Sequence, residues 1–199
     1  QKEQEYQKIK RRMLPRAKEE MFRNLLLKRN LPEGEKELLK EELSDIQEDI
    51  ILLAMKKENV GFDYLEQFIL GNILYEVLAL QEMPLSAAIG DTVLFLFPAD
   101  LAPKLEKAVE KTKQEFARMK TIKISAAASR KGKFSEINNL YEQILYLYEL
   151  AEKGKRDGYL SYDKIEEKQE NSDYFFDFAR ILQAKNYAAV LFETLLALE

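Results

Sequence analysis

The chain has 199 residues, 46% hydrophobic and 11% aromatic, enough for one packed domain with helical attachments or one domain plus a small one, and too apolar for a disordered chain. It holds neither cysteine nor histidine, which excludes disulfides, thiolate nucleophiles, Ser-His and Cys-His pairs and most zinc sites. No apolar run approaches the roughly 18–20 uncharged residues of a membrane span, and the lack of cysteine and of a signal peptide points to a reducing, cytoplasmic setting.

The net charge of −4 is unevenly spread. Residues 1–30 carry ten Lys/Arg against four Glu, so a basic end precedes an acidic body. Without aromatic interleaving this end reads as a solvated helical linker rather than a nucleic-acid contact. A start at Gln1 suggests a piece of a longer protein.

In chain order, Tyr6, Ile9, Met13 and Ala17 recur at spacings of three and four, continued by Met21 and Leu25, and predict a helix over 3–28 with Pro15 as a kink or start. Such a seam can pair with a copy of itself or pack on the body, and self-pairing is the expectation. Asn30 to Gly34 is a break, and a short charged helix through Leu38, Leu39 and Leu43 follows. Asp49 to Lys56 predicts a first strand with a continuous apolar centre. After Gly61, residues Phe62, Leu65, Ile69, Ile73 and Val77 predict one buried face of a helix. Two apolar runs then flank Gly90-Asp91, the signal for a two-residue hairpin, because Gly adopts positive φ without steric cost. Leu94 to Phe97 lack polar alternation and predict a strand covered on both faces.

Asp100 is the expected cap of a helix burying Leu101, Leu105, Val109, Phe116 and Met119. Thr121 to Ser129 predicts a strand whose Ala126-Ala127-Ala128 allows close approach. Ser135 is the expected cap of a helix with an inner stripe of Leu140, Tyr141, Ile144, Leu145 and Tyr148, stopped by Gly154. Tyr159 to Tyr162 predicts a last strand. A polar break at Glu166 to Ser172 precedes two amphipathic helices, Asp173–Gln183 and Asn186–Leu198. The fold class is therefore α+β: a ferredoxin-like βαββαβ sheet with helices on one face, first and third strands adjacent, an N-terminal helix and a C-terminal helix pair. The expected domains are a helical linker at 1–30, a central domain at 31–165 and a helical pair at 166–199.

The order of elements with its Gly-Asp hairpin resembles the diguanylate cyclase (GGDEF) domain. Ile89-Gly90-Asp91-Thr92-Val93 falls on that family's Gly-Gly-Asp-Glu-Phe, matching at Gly90 and Asp91. Ala54-Met55-Lys56 falls where the family's first strand ends Asp-Ile-Asp, and Ile124 to Ser129 resembles its Val-Ser-Ile-Gly-Ile-Ala strand. With the Tyr141-Glu142 helix and the closing Tyr162-Asp163, the chain resembles the degenerate cyclase-like middle domain of bacterial AraC-type response regulators. The resemblance implies a receiver before this domain and a helix-turn-helix DNA-binding domain after it.

The family's activity needs Mg²⁺ on converging carboxylates. The resemblance puts Ala54, Lys56 and Thr92 at those positions, leaving Asp91 as a turn residue. No catalytic, cofactor-binding or metal residues and no cofactor are expected, and no enzyme activity. Glu19-Glu20, Glu41-Glu42 and Glu166-Glu167 are adjacent pairs that do not face each other on a helix. Asp173 and Asp177 suit a helix start. Ser129-Arg130-Lys131-Gly132-Lys133 lacks phosphate-loop spacing and reads as an exposed turn. Tyr141, Tyr146, Tyr148, Tyr159 and Tyr162 read as core rim.

The expected function is a non-catalytic signal-relay and dimerisation module of a transcriptional regulator. It would pass receiver phosphorylation to the helix-turn-helix domain, touch DNA only through that absent domain, avoid membranes, and form a homodimer through the N-terminal helix. The alternative is a small-molecule or nucleotide sensor with a degenerate cyclase pocket between the hairpin and the third helix.

Overall fold

The computed structural model describes residues 16–27, 49–58, 61–120, 122–154 and 158–169, the last four by backbone alone. The chain divides into two compact units, Gln1–Tyr162 and Asp163–Glu199. The first contains a helix at 16–26 (α1), then β1 (Ile50–Lys57), α2 (Tyr64–Leu78), β2 (Leu85–Ile89), β3 (Thr92–Pro98), α3 (Ala102–Met119), β4 (Ile124–Ala128), α4 (Ile137–Gly154) and β5 (Tyr159–Ser161). A further helix, α5 (Tyr162–Gln169), runs into the second unit.

The fold is α+β, built on one five-stranded mixed sheet in the order β2-β3-β1-β4-β5. The first four strands pair antiparallel and β5 runs parallel to β4. The first and third strands are neighbours, with Lys56 opposite Thr92 and Ile50 opposite Pro98.

The apolar runs of β1 and β3 demand cover on both faces, and they receive it. On one face Ile51, Leu53, Met55, Val93, Phe95 and Phe97 form a core with Leu70, Leu74 and Leu78 of α2 and Leu105, Val109 and Phe116 of α3. The alternate residues Ile50, Leu52, Ala54, Leu94 and Leu96 are equally buried, and from this second face Lys56 reaches Glu152 and Tyr148 of α4. The two crossover helices share a face as expected. The third helix lies on the other, a correction that follows from strands apolar on both sides.

Local details differ from the sequence expectations. The buried face of α2 is Glu66, Gln67, Leu70, Gly71, Leu74 and Leu78, while Leu65 is 63% exposed and Phe62, Ile69, Ile73 and Val77 sit at the core margin. The helix is apolar almost all round, so periodicity cannot select its face; the Asp63–Glu66 cap and the ion pair of Glu66 do so. Asp100 does not cap α3: a 3-10 turn, Ala99–Leu101, leads in, tied by Ala99 N donating to Asp49 O at 2.8 Å. Met119 and Leu145 are 55% and 51% exposed, and Leu147 takes the inner place. Ser135 lies inside a 3-10 turn, Phe134–Glu136, and the amide of the preceding Lys133 donates to Glu136 Oε2 at 3.1 Å. The break expected from Glu166 is helical to Gln169.

In α1, Met21, Phe22 and Leu26 are buried within the chain itself and Ala17 is exposed. Asn138 of α4 donates to the Leu25 and Leu26 carbonyls at 2.7 and 3.3 Å, satisfying groups that a helix end leaves open. This part of the expected seam packs on the body. Residues 1–15, the break and charged helix at 30–43, and the helices at 173–198 lie outside the described residues.

Candidate functional site

The hairpin turn organises one end of the sheet. Ile89 pairs with Thr92 across Gly90-Asp91, and only Gly90 takes positive φ, at 62°. Positive φ at the first central position alone is the type II′ pattern, which matches the right-handed strand twist. The loop after β1 packs on this turn: a Cβ on Gly61 would stand 2.9 Å from Gly90 O. That contact is with backbone, which cannot swing away. Gly61→Ala should therefore cost roughly 1–3 kcal/mol, read as a lower urea midpoint with unchanged slope.

On the α4 face, Lys56 holds the turn. Its Nζ lies 3.0 Å from Glu152 Oε1, 3.6 Å from Asp91 Oδ2 and 5.4 Å above the Tyr148 ring. Thr92 Oγ1 donates to Asp91 Oδ1 at 3.0 Å. The Glu152 hydrogen bond raises the Lys56 pKa, overcoming the opposing effect of burial, with Asp91 adding to the rise. Burial, and secondarily the Asp91 charge, pushes the Tyr148 hydroxyl far up and the Tyr141 hydroxyl up. Among the described residues the buried Tyr148 hydroxyl has no hydrogen-bond partner. Lys56 therefore stays charged and both phenols neutral at neutral pH, so the site offers a fixed ammonium held by Glu152 and Asp91 beside two neutral phenols.

The opposite face carries a second cluster that sequence reasoning missed. Lys57 Nζ bonds both Glu66 oxygens at 3.0 Å, and Lys120 Nζ reaches Glu66 Oε1 at 2.6 Å. Asp63 N donates to Glu66 Oε2 and Glu66 N to Asp63 Oδ1, a reciprocal helix cap. Burial alone would raise the Glu66 pKa. The hydrogen bonds from Lys120, Asp63 and Lys57, with the Lys57 charge, outweigh it and hold the carboxyl at about 2. The spacing Asp63-x-x-Glu66 was a readable signal for the cap; the partners from β1 and beyond α3 were not.

The other sequence candidates have structural work. Ser129 is fully buried, accepts from Leu52 N at 3.0 Å and donates to Arg130 O at 2.8 Å. Gly132 exchanges two backbone bonds with Ile50, at 2.7 and 3.0 Å. The loop expected as an exposed turn is thus tied to β1, though Lys131 and Lys133 face outward. Glu19 pairs with Arg23 at 2.9 Å. Tyr146 meets Tyr162 edge-on at 6.3 Å, and Tyr159 packs on the core. Among the described residues no group of three or more acidic side chains converges to hold a metal. An open cleft lined by Ile73, Val77, Lys111 and Arg118 lies between α2 and α3, and no hairpin residue lines it. Compared with known proteins, the sequence matches no family model and no curated protein at a significant level.

Proposed function

We propose that this chain is a degenerate GGDEF-like domain serving as a non-catalytic relay and dimerisation module of an AraC-type response regulator. The antiparallel order β2-β3-β1-β4, with α2 and α3 on one face, supports a ferredoxin-like core on this reading. The observation that carries it is Lys56. A nucleotide-processing site of this kind would gather carboxylates around Mg²⁺ where β1 meets the hairpin. Here the ammonium of Lys56 stands between Asp91 and Glu152 and takes up their negative charge. A divalent cation at that point would meet a like charge and find Asp91 engaged with Thr92.

Incubation with GTP and Mg²⁺ or Mn²⁺ should give no cyclic dinucleotide; turnover above a protein-free control removes the proposal. In the full regulator, Lys56→Ala should change phosphorylation-dependent transcription without changing the unphosphorylated regulator's affinity for its DNA site. An unchanged response would detach this site from signal relay.

The Tyr148 hydroxyl, without a partner among the described residues and carried on the ring under Lys56, favours a second reading, a small-molecule sensor. A ligand at a hundred times its Kd would stabilise the chain by about 2.7 kcal/mol, a shift readily seen in thermal unfolding. Guanine nucleotides are the first compounds to try, and a flat response to them counts against it.

A further inference from the structure

We propose that two copies of this chain associate through the free edge of β2, joining their sheets across a two-fold axis. Among the described residues β2 ends the sheet, paired only with β3. Lys57 N donates to Asp91 O, and Ala99 N to Asp49 O, so odd-numbered residues of β1 and β3 turn their amides and carbonyls toward each other. Antiparallel pairs alternate, so Leu94 and Leu96 turn theirs toward β2, where they meet Ala87 and Leu85. Ser86 and Ala88 are left with N–H and C=O pointing away from the sheet.

Both residues are half-buried, and among the described residues no backbone group pairs with their outer side. Such an edge is a template for another strand unless charge, proline or a bulge blunts it. Leu85 to Ile89 has none of these. A two-fold centred on Ala87 sets Ser86 opposite Ala88 of the second copy. All four outward groups then become hydrogen bonds, and Leu85 lies opposite Ile89. No charge meets charge within the paired strands, and that self-complementarity selects a second copy as the occupant.

The flank of the strand also exposes apolar side chains. Gln67 of α2 donates to Ser86 Oγ at 3.2 Å, and a Cβ on Gly71 would stand 3.2 Å from Met83, so this side of α2 lies along β2. One step round the helix, Tyr64 and Phe68 are 61% and 52% exposed, and Met83 is 44% exposed. The two-fold brings these residues from both copies together beside the new strand pair. The inference does not depend on the cyclase resemblance, and its strand pair is formed by β2 rather than by the N-terminal helix, which meets the flank where Arg16 lies 5.8 Å over the Tyr64 ring.

Sedimentation velocity of the full chain from 1 to 200 µM should show a reversible dimer. Ala88→Pro removes an outward N–H and leaves the β3 ladder intact, and Phe68→Asp charges the flank. Each should raise the dimer Kd at least tenfold with an unchanged circular dichroism spectrum. Amide exchange at Ser86 and Ala88 should be slow at high concentration and speed up on dilution. A chain monomeric at 200 µM overturns the proposal, leaving the edge to an extended peptide of another protein. A dimer that survives Phe68→Asp with Ser86 and Ala88 amides exchanging freely also overturns it and puts the contact elsewhere, whether or not Ala88→Pro folds. Loss of the dimer with GTP turnover present would sink the relay reading while supporting this one.

Discussion

Glu66→Gln should destabilise the protein by about 3 kcal/mol at neutral pH, and the parent chain should lose the same increment in acid. The Glu66 carboxyl is held at about 2 against an ordinary 4.5. At roughly 1.4 kcal/mol per unit, that gap corresponds to about 3 kcal/mol. The direction follows from proton uptake. The unfolded chain takes up its proton first as pH falls, so the contribution is complete above about pH 4.5 and is eroded down to about 2. Urea denaturation at pH 7, 4 and 3 should show this slope in the parent and a flatter one in Glu66→Gln.

The partners decide the size of the effect. Glu66 is 2% exposed and Lys57 7%, so removing the carboxylate strands a buried ammonium. Lys120, whose side chain is 45% exposed, can turn to water, and Lys120→Ala should cost under about 1 kcal/mol. Lys57→Met together with Glu66→Gln should recover most of the loss, because a buried pair replaced by matched uncharged groups no longer leaves a charge uncompensated. If the double variant is no more stable than Glu66→Gln, the stranded Lys57 is not the cause.

Phe95→Ala should cost about 3–5 kcal/mol, enough to unfold a marginal domain at 37 °C. Phe95 is fully buried in β3, with its ring 6.3 Å from that of Phe97 on the same face. Its neighbours come from the strand ladder and from α2, where Gly71 leaves room for it. The strand neighbours cannot move into the gap without breaking register, so most of it stays open. Phe95→Leu should cost markedly less, with an unchanged urea slope; equal losses from the two variants would mean the site relaxes freely.

Much of the fold was legible because its signals are local. Gly90-Asp91 between apolar runs specifies its own turn, and the continuous run Leu94 to Phe97 requires a strand with two covered faces. The stripe of α3 through Leu105, Val109 and Phe116 stands out against lysines and glutamates and was read correctly. The face of α2 was not, because an evenly apolar helix has no direction until something outside it supplies one. The cap expected at Asp100 failed because Ala99 is bound to Asp49 before the helix begins.

The candidate site divides along the same line. By itself the sequence determined that no histidine or cysteine chemistry is possible, that a tight turn closes the hairpin, and that Lys56 and Thr92 stand on strands built to pair. Only the tertiary structure decided that Lys56 meets Glu152, 96 positions away, and that Lys120 reaches Glu66, 54 away. Turns and strands are specified by steric limits and apolar period within a few residues. Ion pairs are specified by where distant backbones bring side chains, and the charges themselves carry no record of their partners.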